Sequence, residues 1–298
     1  MPVSIISSNQ ESGRLSRSQV NQLIDLDRYP IDQLESGAGR DLIEICHNNL
    51  ATQAIALLPG FIRPSAISGM AEEAQDLIDQ AYRYDQPRVA FYEHPNHHHR
   101  AHDGDDWSTL RSKRHPNRYC QILNYQIPNN SNLRAIYLWP KLTEFVRRVL
   151  DVNRLYPSVC PHLALTMKVA FEGDLDGWHY DPNDGVITLM LQPSESGGEF
   201  EYAPYIRNEQ EENYTGVKRL FDSPDTEAQR IKLEAGTFTL FNGRFSMHRV
   251  RPVGSTKQPR IVAIFSYDER PDMVFSQDYI DMLRSFPQGP PDRNSSIN

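Results

Sequence analysis

The chain is short of cysteine, short of positive charge and without a long apolar run, and each shortage removes a class of protein. Its three cysteines, Cys46, Cys120 and Cys160, are odd in number and widely spaced. That fits neither a disulfide framework nor a four-cysteine zinc site. A reducing cytoplasm is the expected compartment, with the thiols as small core residues. Lys and Arg total 31 against 39 Asp and Glu, a net charge of −8. A general nucleic-acid binder carries a basic excess, so no nucleic-acid partner is expected. A local basic pocket for a small acid stays open. No apolar stretch approaches the ~18 residues that a membrane span needs, so no membrane partner is expected either. The first residues, MPVSIISSNQESGRLSRSQ, hold no basic segment followed by an apolar one, and no secretory signal is expected.

What is present is a 298-residue chain, 39% hydrophobic and 10% aromatic, long enough to bury a sizeable core. It carries ten histidines, an excess that first hints at chemistry. Residues 1–15 read as a mobile N-terminus and 287–298, rich in Pro, Asn and Ser, as a disordered tail. Residues 16–286 between them read as a single domain.

The first half, 16–160, reads as a helical layer. Ser16 is placed to cap a helix through Leu23 and Ile24. Asp41–Asn48 has helical apolar spacing, ATQAIALLPGF reads as a short buried strand, and Pro64-Ser65 opens a helix to about Tyr82. Ser131–Leu150 is helical, with Pro140 kinking or dividing it. From Pro161 the pattern changes to short apolar or alternating segments: HLALTMKVAF, GVITLMLQ, GEFEYA, GTFTLFNG, HRVRPV and RIVAIFSY. Turn residues separate them, and one helical insert, Asn208–Phe221, interrupts them. Many short strands at this spacing predict a jelly-roll, cupin-like core over 161–270. The expected fold class is therefore α+β.

The segment GDLDGWHYDPNDG sets His179 and Asp181 two residues apart. On a strand such residues share a face. His248 follows on a later strand. Two imidazoles and a carboxylate on a β scaffold can hold one face of an octahedral metal, the facial triad of non-haem Fe(II) oxygenases. Arg260 comes twelve residues after His248. A hairpin return would bring its strand beside the metal, where a planar guanidinium can bind a carboxylate bidentately. The far carboxylate of 2-oxoglutarate is the natural guest. Two other readings compete. The histidines could be satisfied polar groups at strand ends. A zinc hydrolase could use the same three ligands, but would leave Arg260 unexplained.

The stretches GGEFEYAPYIRNEQEENYTGVKRLF, AGTFTLFNGRFSMHRVRPV and PRIVAIFSYDERP closely resemble a bacterial group of Fe(II)/2-oxoglutarate-dependent oxygenases that contains radical halogenases and free amino-acid hydroxylases. The similarity runs from about Tyr29 to Pro271. It implies a distorted double-stranded β-helix, metal ligands at His179, Asp181 and His248, and a 2-oxoglutarate anchor at Arg260. It also implies Fe(II), 2-oxoglutarate and O₂ as the reacting set, with succinate and CO₂ as co-products. In the group's halogenases the carboxylate position is Gly or Ala, and halide takes the vacant site. Here it is Asp181, so hydroxylation of an unactivated C–H is expected. Desaturation or cyclisation starts from the same hydrogen abstraction and stays open.

The expected substrate is a small polar metabolite, a free amino acid or derivative; a nucleotide or a peptidyl or carrier-bound residue is the alternative. A cupin-like binding protein without catalysis would predict damage to the triad or to Arg260, and neither is seen. Substrate contacts are expected from Glu201, which could hold an amine, and from Tyr202, Arg118 and Asn183. Each has a bland alternative: core or solvent for one of Glu201 and Tyr202, the surface for Arg118, turn chemistry for Asn183 and Asp184. The His94–His102 stretch reads as a loop able to act as a lid, with an auxiliary metal site as the other reading. A monomer or homodimer is expected.

Overall fold

The computed structural model describes residues 17–91, 107–182 and 186–291. Residues 1–15, Ser16, the His94–His102 stretch, Asn183, Asp184 and residues 292–298 lie outside them. The helices are α1 (Arg17–Leu23), α2 (Gly37–Gln53), α3 (Pro64–Asp76), α4 (Ser108–Ser112), α5 (Asn132–Tyr137), α6 (Pro140–Val149), α7 (Tyr214–Asp222), α8 (Pro224–Glu227) and α9 (Gln277–Arg284). The strands are β1 (Ile55–Leu58), β2 (Tyr82–Asp85), β3 (Arg88–Val89), β4 (Arg114–His115), β5 (Arg118–Ile122), β6 (Tyr156–Pro157), β7 (Leu165–Ala170), β8 (Asp176–His179), β9 (Val186–Gln192), β10 (Phe200–Ala203), β11 (Gln229–Ile231), β12 (Phe238–Phe241), β13 (Met247–Val250), β14 (Arg260–Phe265) and β15 (Tyr267–Asp268).

Among the described residues the larger sheet has the order β1-β12-β9-β14-β7-β5-β2 and the smaller β11-β10-β13-β8, both antiparallel. From β7 on, the chain winds back and forth between them: β7, β9, β12 and β14 lie in the larger sheet, and β8, β10, β11 and β13 in the smaller. Two sheets wound in this way are the expected double-stranded β-helix of an α+β protein. Alternation assigns the faces. On β14, Ile261, Ala263 and Phe265 join the main core under the helices, while Arg260, Val262 and Ile264 face the space between the sheets.

The helical layer owes its position to the same burial. In α6 the residues Leu142, Phe145, Val146 and Val149, spaced i, i+3, i+4, i+7, are fully buried. Each contributes about 1.5–3 kcal/mol of apolar transfer. Pro140 divides the expected 131–150 helix into α5 and α6, taking the first helical position where its missing N–H costs nothing.

Three expectations need correction. The 16–160 half holds more strand than the expected β1, because β2 and β5 from it also join the larger sheet. The helix opened at Pro64 ends at Asp76, and a 3₁₀ turn over Ile78–Gln80 leads into β2. There the register Tyr82↔Gln121 to Asp85↔Arg118 competes better than a continued helix. Finally, residues 287–289 are ordered. Arg83 N donates to Pro287 O at 2.7 Å and Gly289 N to Ala81 O at 2.9 Å. These bonds cover the open edge that β2 would otherwise present to solvent.

Candidate metal centre

β8 ends at His179, and β13 sets His248 directly opposite it, with ring centroids 4.0 Å apart. The extended path continues past β8 on new partners. Tyr180 N donates to Ala90 O and Asp181 N to Gly243 O, at 3.1 and 3.0 Å. Tyr180 turns the other way, fully buried, with the Arg207 guanidinium 3.6 Å from its ring centre. Asp181 is thereby returned to the histidine side.

Each imidazole is oriented by a backbone carbonyl two residues before it. His179 Nδ1 lies 2.7 Å from Gly177 O and His248 Nδ1 3.0 Å from Ser246 O. A carbonyl only accepts, so each Nδ1 carries the proton and each Nε2 keeps a free lone pair. Burial, then the neighbouring Arg88 and the close approach of the His248 ring, hold the His179 pKa well below its ordinary value, so the ring is neutral. Asp181 approaches both rings, Oδ1 at 3.7 Å from His179 Nε2 and Oδ2 at 3.2 Å from His248 Nε2. The three ligand atoms lie within 4.8 Å of one another. Asp181 Oδ2 is buried and has no hydrogen-bond partner among the described residues. Two imidazole lone pairs and an unfilled carboxylate oxygen facing one point fit a divalent cation with nitrogen and oxygen ligands.

A cavity of about 120 Å³ opens from this point between the sheets. Arg260 lines it from β14, on the larger sheet, whereas His248 is on the smaller. The expected hairpin is therefore corrected: residues 251–259 cross from one sheet to the other, and Arg260 faces the histidines rather than neighbouring them. It is 5% exposed, and no ion pair or hydrogen bond reaches its side chain among the described residues. Burial lowers its pKa to about 10, against the opposing pull of Asp176, so it stays cationic at neutral pH. The Gly-Gly before β10 makes room for it. Gly198 has φ +69°, and a Cβ there would stand 2.9 Å from Arg260 Cδ.

The wall beside His179 carries further charge. Lys168 Nζ pairs with Asp176 Oδ2, and Arg88 Nη1 lies 3.3 Å from Asp176 Oδ1. Burial alone would raise the Asp176 pKa, but Lys168, His179 and Arg88 together hold it well below the carboxylate range. Strict alternation hides Asp176, which is three residues from His179. A register shift lets Asp176–His179 oppose only Val250–His248, and the extra residue turns both side chains inward.

The expected substrate contacts separate. Arg118 does line the cavity, with Nη2 donating to Gly173 O at 2.8 Å. Glu201 does not line it. β10 turns Phe200 toward the cavity and Glu201 to the opposite face, where Arg230 Nε, Arg249 Nε and Arg251 Nη1 donate to its carboxylate at 2.8, 2.6 and 2.9 Å. Tyr202 is not in the cavity lining either. Its ring packs on Phe241 and its hydroxyl donates to Gln229 Oε1 at 2.8 Å. Asn183 lies outside the described residues.

The family model described as halogenase D matches residues 39–281. A search of curated proteins finds no match. Among solved structures, AviO1 from Streptomyces viridochromogenes is similar at TM-score 0.50 and 15% identity, over 78% of this chain and 96% of that one. Its likeness shows a shared fold. Looser likenesses, on which nothing rests, are a 2OG-Fe(II) oxygenase family protein from Burkholderia pseudomallei (TM-score 0.46, 12% identity, 78% and 94% covered) and the α-ketoglutarate-dependent epimerase SnoN of nogalamycin biosynthesis (0.48, 13%, 77% and 83%). No helix among the described residues is long and apolar enough to cross a membrane.

Proposed function

The chain belongs to the halogenase D family, and on that premise we propose that it is an Fe(II)- and 2-oxoglutarate-dependent oxygenase that hydroxylates an unactivated C–H. Its substrate is a small polar metabolite, a free amino acid or derivative. The observation that carries the reading is Asp181, whose carboxylate reaches both histidine Nε2 atoms. In the halogenases that the sequence resembles, that position is Gly or Ala and admits halide. Here a carboxylate fills it.

His179, Asp181 and His248 hold the metal. When bound, iron with O₂ and 2-oxoglutarate supplies the oxidising chemistry, and succinate and CO₂ are released. The chain's own work is placement. Arg260, cationic and without a protein partner among the described residues, takes the distal carboxylate of 2-oxoglutarate in a bidentate clamp. Phe200, Val250, Val262 and Ile264 line the cavity with apolar surface that limits water there. Arg118 receives a substrate carboxylate. The buried free thiols of Cys46, Cys120 and Cys160 suit a reducing cytoplasm.

The test is turnover. The apo protein is supplied with Fe(II), 2-oxoglutarate, ascorbate and each free amino acid in turn, and succinate and product mass are followed. One amino acid should stimulate succinate release and gain one oxygen atom. A loss of two hydrogens would instead indicate desaturation or cyclisation. No stimulation by any member would sink the free amino-acid reading.

A further inference from the structure

Asp181 is seated against a position that has no side chain. Gly243 lies in the turn between β12 and β13, and its carbonyl accepts the Asp181 N–H. A Cβ built on Gly243 would stand 1.9 Å from Asp181 Oδ2, 2.7 Å from its carboxyl carbon and 3.0 Å from its Cβ. The first two lie inside 3.0 Å, a distance that Cβ contacts essentially never breach. Backbone conformation does not call for glycine here, since Gly243 is not among the glycines with positive φ. The neighbour that does call for it is the carboxylate. Asp181 cannot retreat as a unit, because its N–H is held by the same residue. Its remaining freedom is side-chain rotation, which swings the carboxylate off the two histidines.

We propose that Gly243 is a positioning residue that decides the metal's ligand set. Glycine at 243 lets a carboxylate at 181 complete the set. Any side chain at 243 evicts that carboxylate and leaves its coordination position open. Positions 181 and 243 are thus a matched pair: aspartate needs glycine opposite, whereas glycine at 181 tolerates a side chain at 243. This rests on Asp181 being a metal ligand.

The test is a double-mutant cycle on the full chain, titrating apo protein with Co(II) as a spectroscopic probe and recording the melting temperature of each apo form. Gly243→Ala should weaken Co(II) binding by about 10- to 100-fold, the range for lost support of a metal ligand. Asp181→Gly should weaken it as well. The double variant should bind no more weakly than Asp181→Gly alone, and should recover the melting temperature that Gly243→Ala loses. If Gly243→Ala does not fold but the double variant does, the clash is confirmed directly. Wild-type affinity in Gly243→Ala, additive losses in the double variant, or misfolding of both would overturn the proposal. Equal Co(II) affinity in wild type and Asp181→Gly would instead overturn the ligand role of Asp181, and this inference with it.

Discussion

The two sides of the smaller sheet each carry a carboxylate, built in opposite ways. On the outer side, Glu201 accepts from three guanidiniums and is 1% exposed. Asp225 joins the same cluster by pairing with Arg230 at 2.6 Å. On the inner side, Asp181 faces two imidazole lone pairs and leaves Oδ2 without a hydrogen bond. Across the cavity Arg260 is its counterpart, a buried cation with no anion paired to it among the described residues. Folding does not leave such groups short of partners for nothing, since an unmatched buried polar group costs about 1–3 kcal/mol. The filled carboxylate holds the sheet together. The unfilled one and its opposing arginine face a shared cavity, which on the proposed function takes a cation and a dicarboxylate.

The hardest test of this contrast removes the unfilled site. His248→Ala or Asp181→Ala should abolish substrate-stimulated succinate formation while the apo protein keeps its fold, read by circular dichroism. Normal turnover in either variant would remove the distinction between the sides. Next, Arg260→Gln should raise the KM for 2-oxoglutarate by about 10- to 100-fold, as expected when a charged hydrogen-bonding partner worth ~1.5–3 kcal/mol is lost. Substrate affinity, measured separately, should move far less.

Glu201 should respond in the opposite sense. Glu201→Gln should lower stability by about 1–3 kcal/mol in chemical denaturation and leave Co(II) affinity unchanged. Burial alone would raise the Glu201 pKa, but the Arg251, Arg249 and Arg230 contacts outweigh it and hold the value below the ordinary 4.5. A lowered folded-state pKa means the ionised acid stabilises the fold. The stability gap between wild type and Glu201→Gln should therefore be full above pH 4.5. It should shrink as pH falls through the lowered value. A gap that persists in strong acid would mean that charge is not what Glu201 contributes.

The contrast also shows what could be read before the fold was known. His179 and Asp181 are two apart, and their shared side follows from strand period alone. His248 and Arg260 stand in motifs that carry the family resemblance. Arg260 does line the cavity, but by a different path from the expected hairpin, since the chain crosses between sheets after β13. Glu201 shows the limit of alternation: the pattern pairs it with Glu199 on one side but does not say which side is inner. Asp176 was hidden by the register shift in β8, and Lys168 by sitting in an ordinary strand. β2 and β5 lie in a half whose helical periods dominate, and only pairing with β7 and with each other makes them strands. The close approach of Gly243 to Asp181 is invisible without the fold.

The smallest expected effect sharpens the inner side rather than testing it outright. Arg118 lines the cavity but is only half-buried, and its one side-chain hydrogen bond among the described residues goes to Gly173 O. The rest of its guanidinium can face a substrate carboxylate, but solvent screens that attraction. A pair in such a setting contributes about 0.2–1 kcal/mol, so Arg118→Gln should raise the substrate KM by about 1.5- to 5-fold. Because the interaction is screened, wild-type KM should climb with added salt toward that of the variant. The KM for 2-oxoglutarate should not move, since Arg260, proposed to bind it, is a separate, buried residue two strands away in the same sheet. A substrate KM that is unchanged in Arg118→Gln at low salt would place Arg118 with the surface residues. The charge lining the cavity among the described residues would then lie in Arg260, Lys168, Asp176 and Asp181.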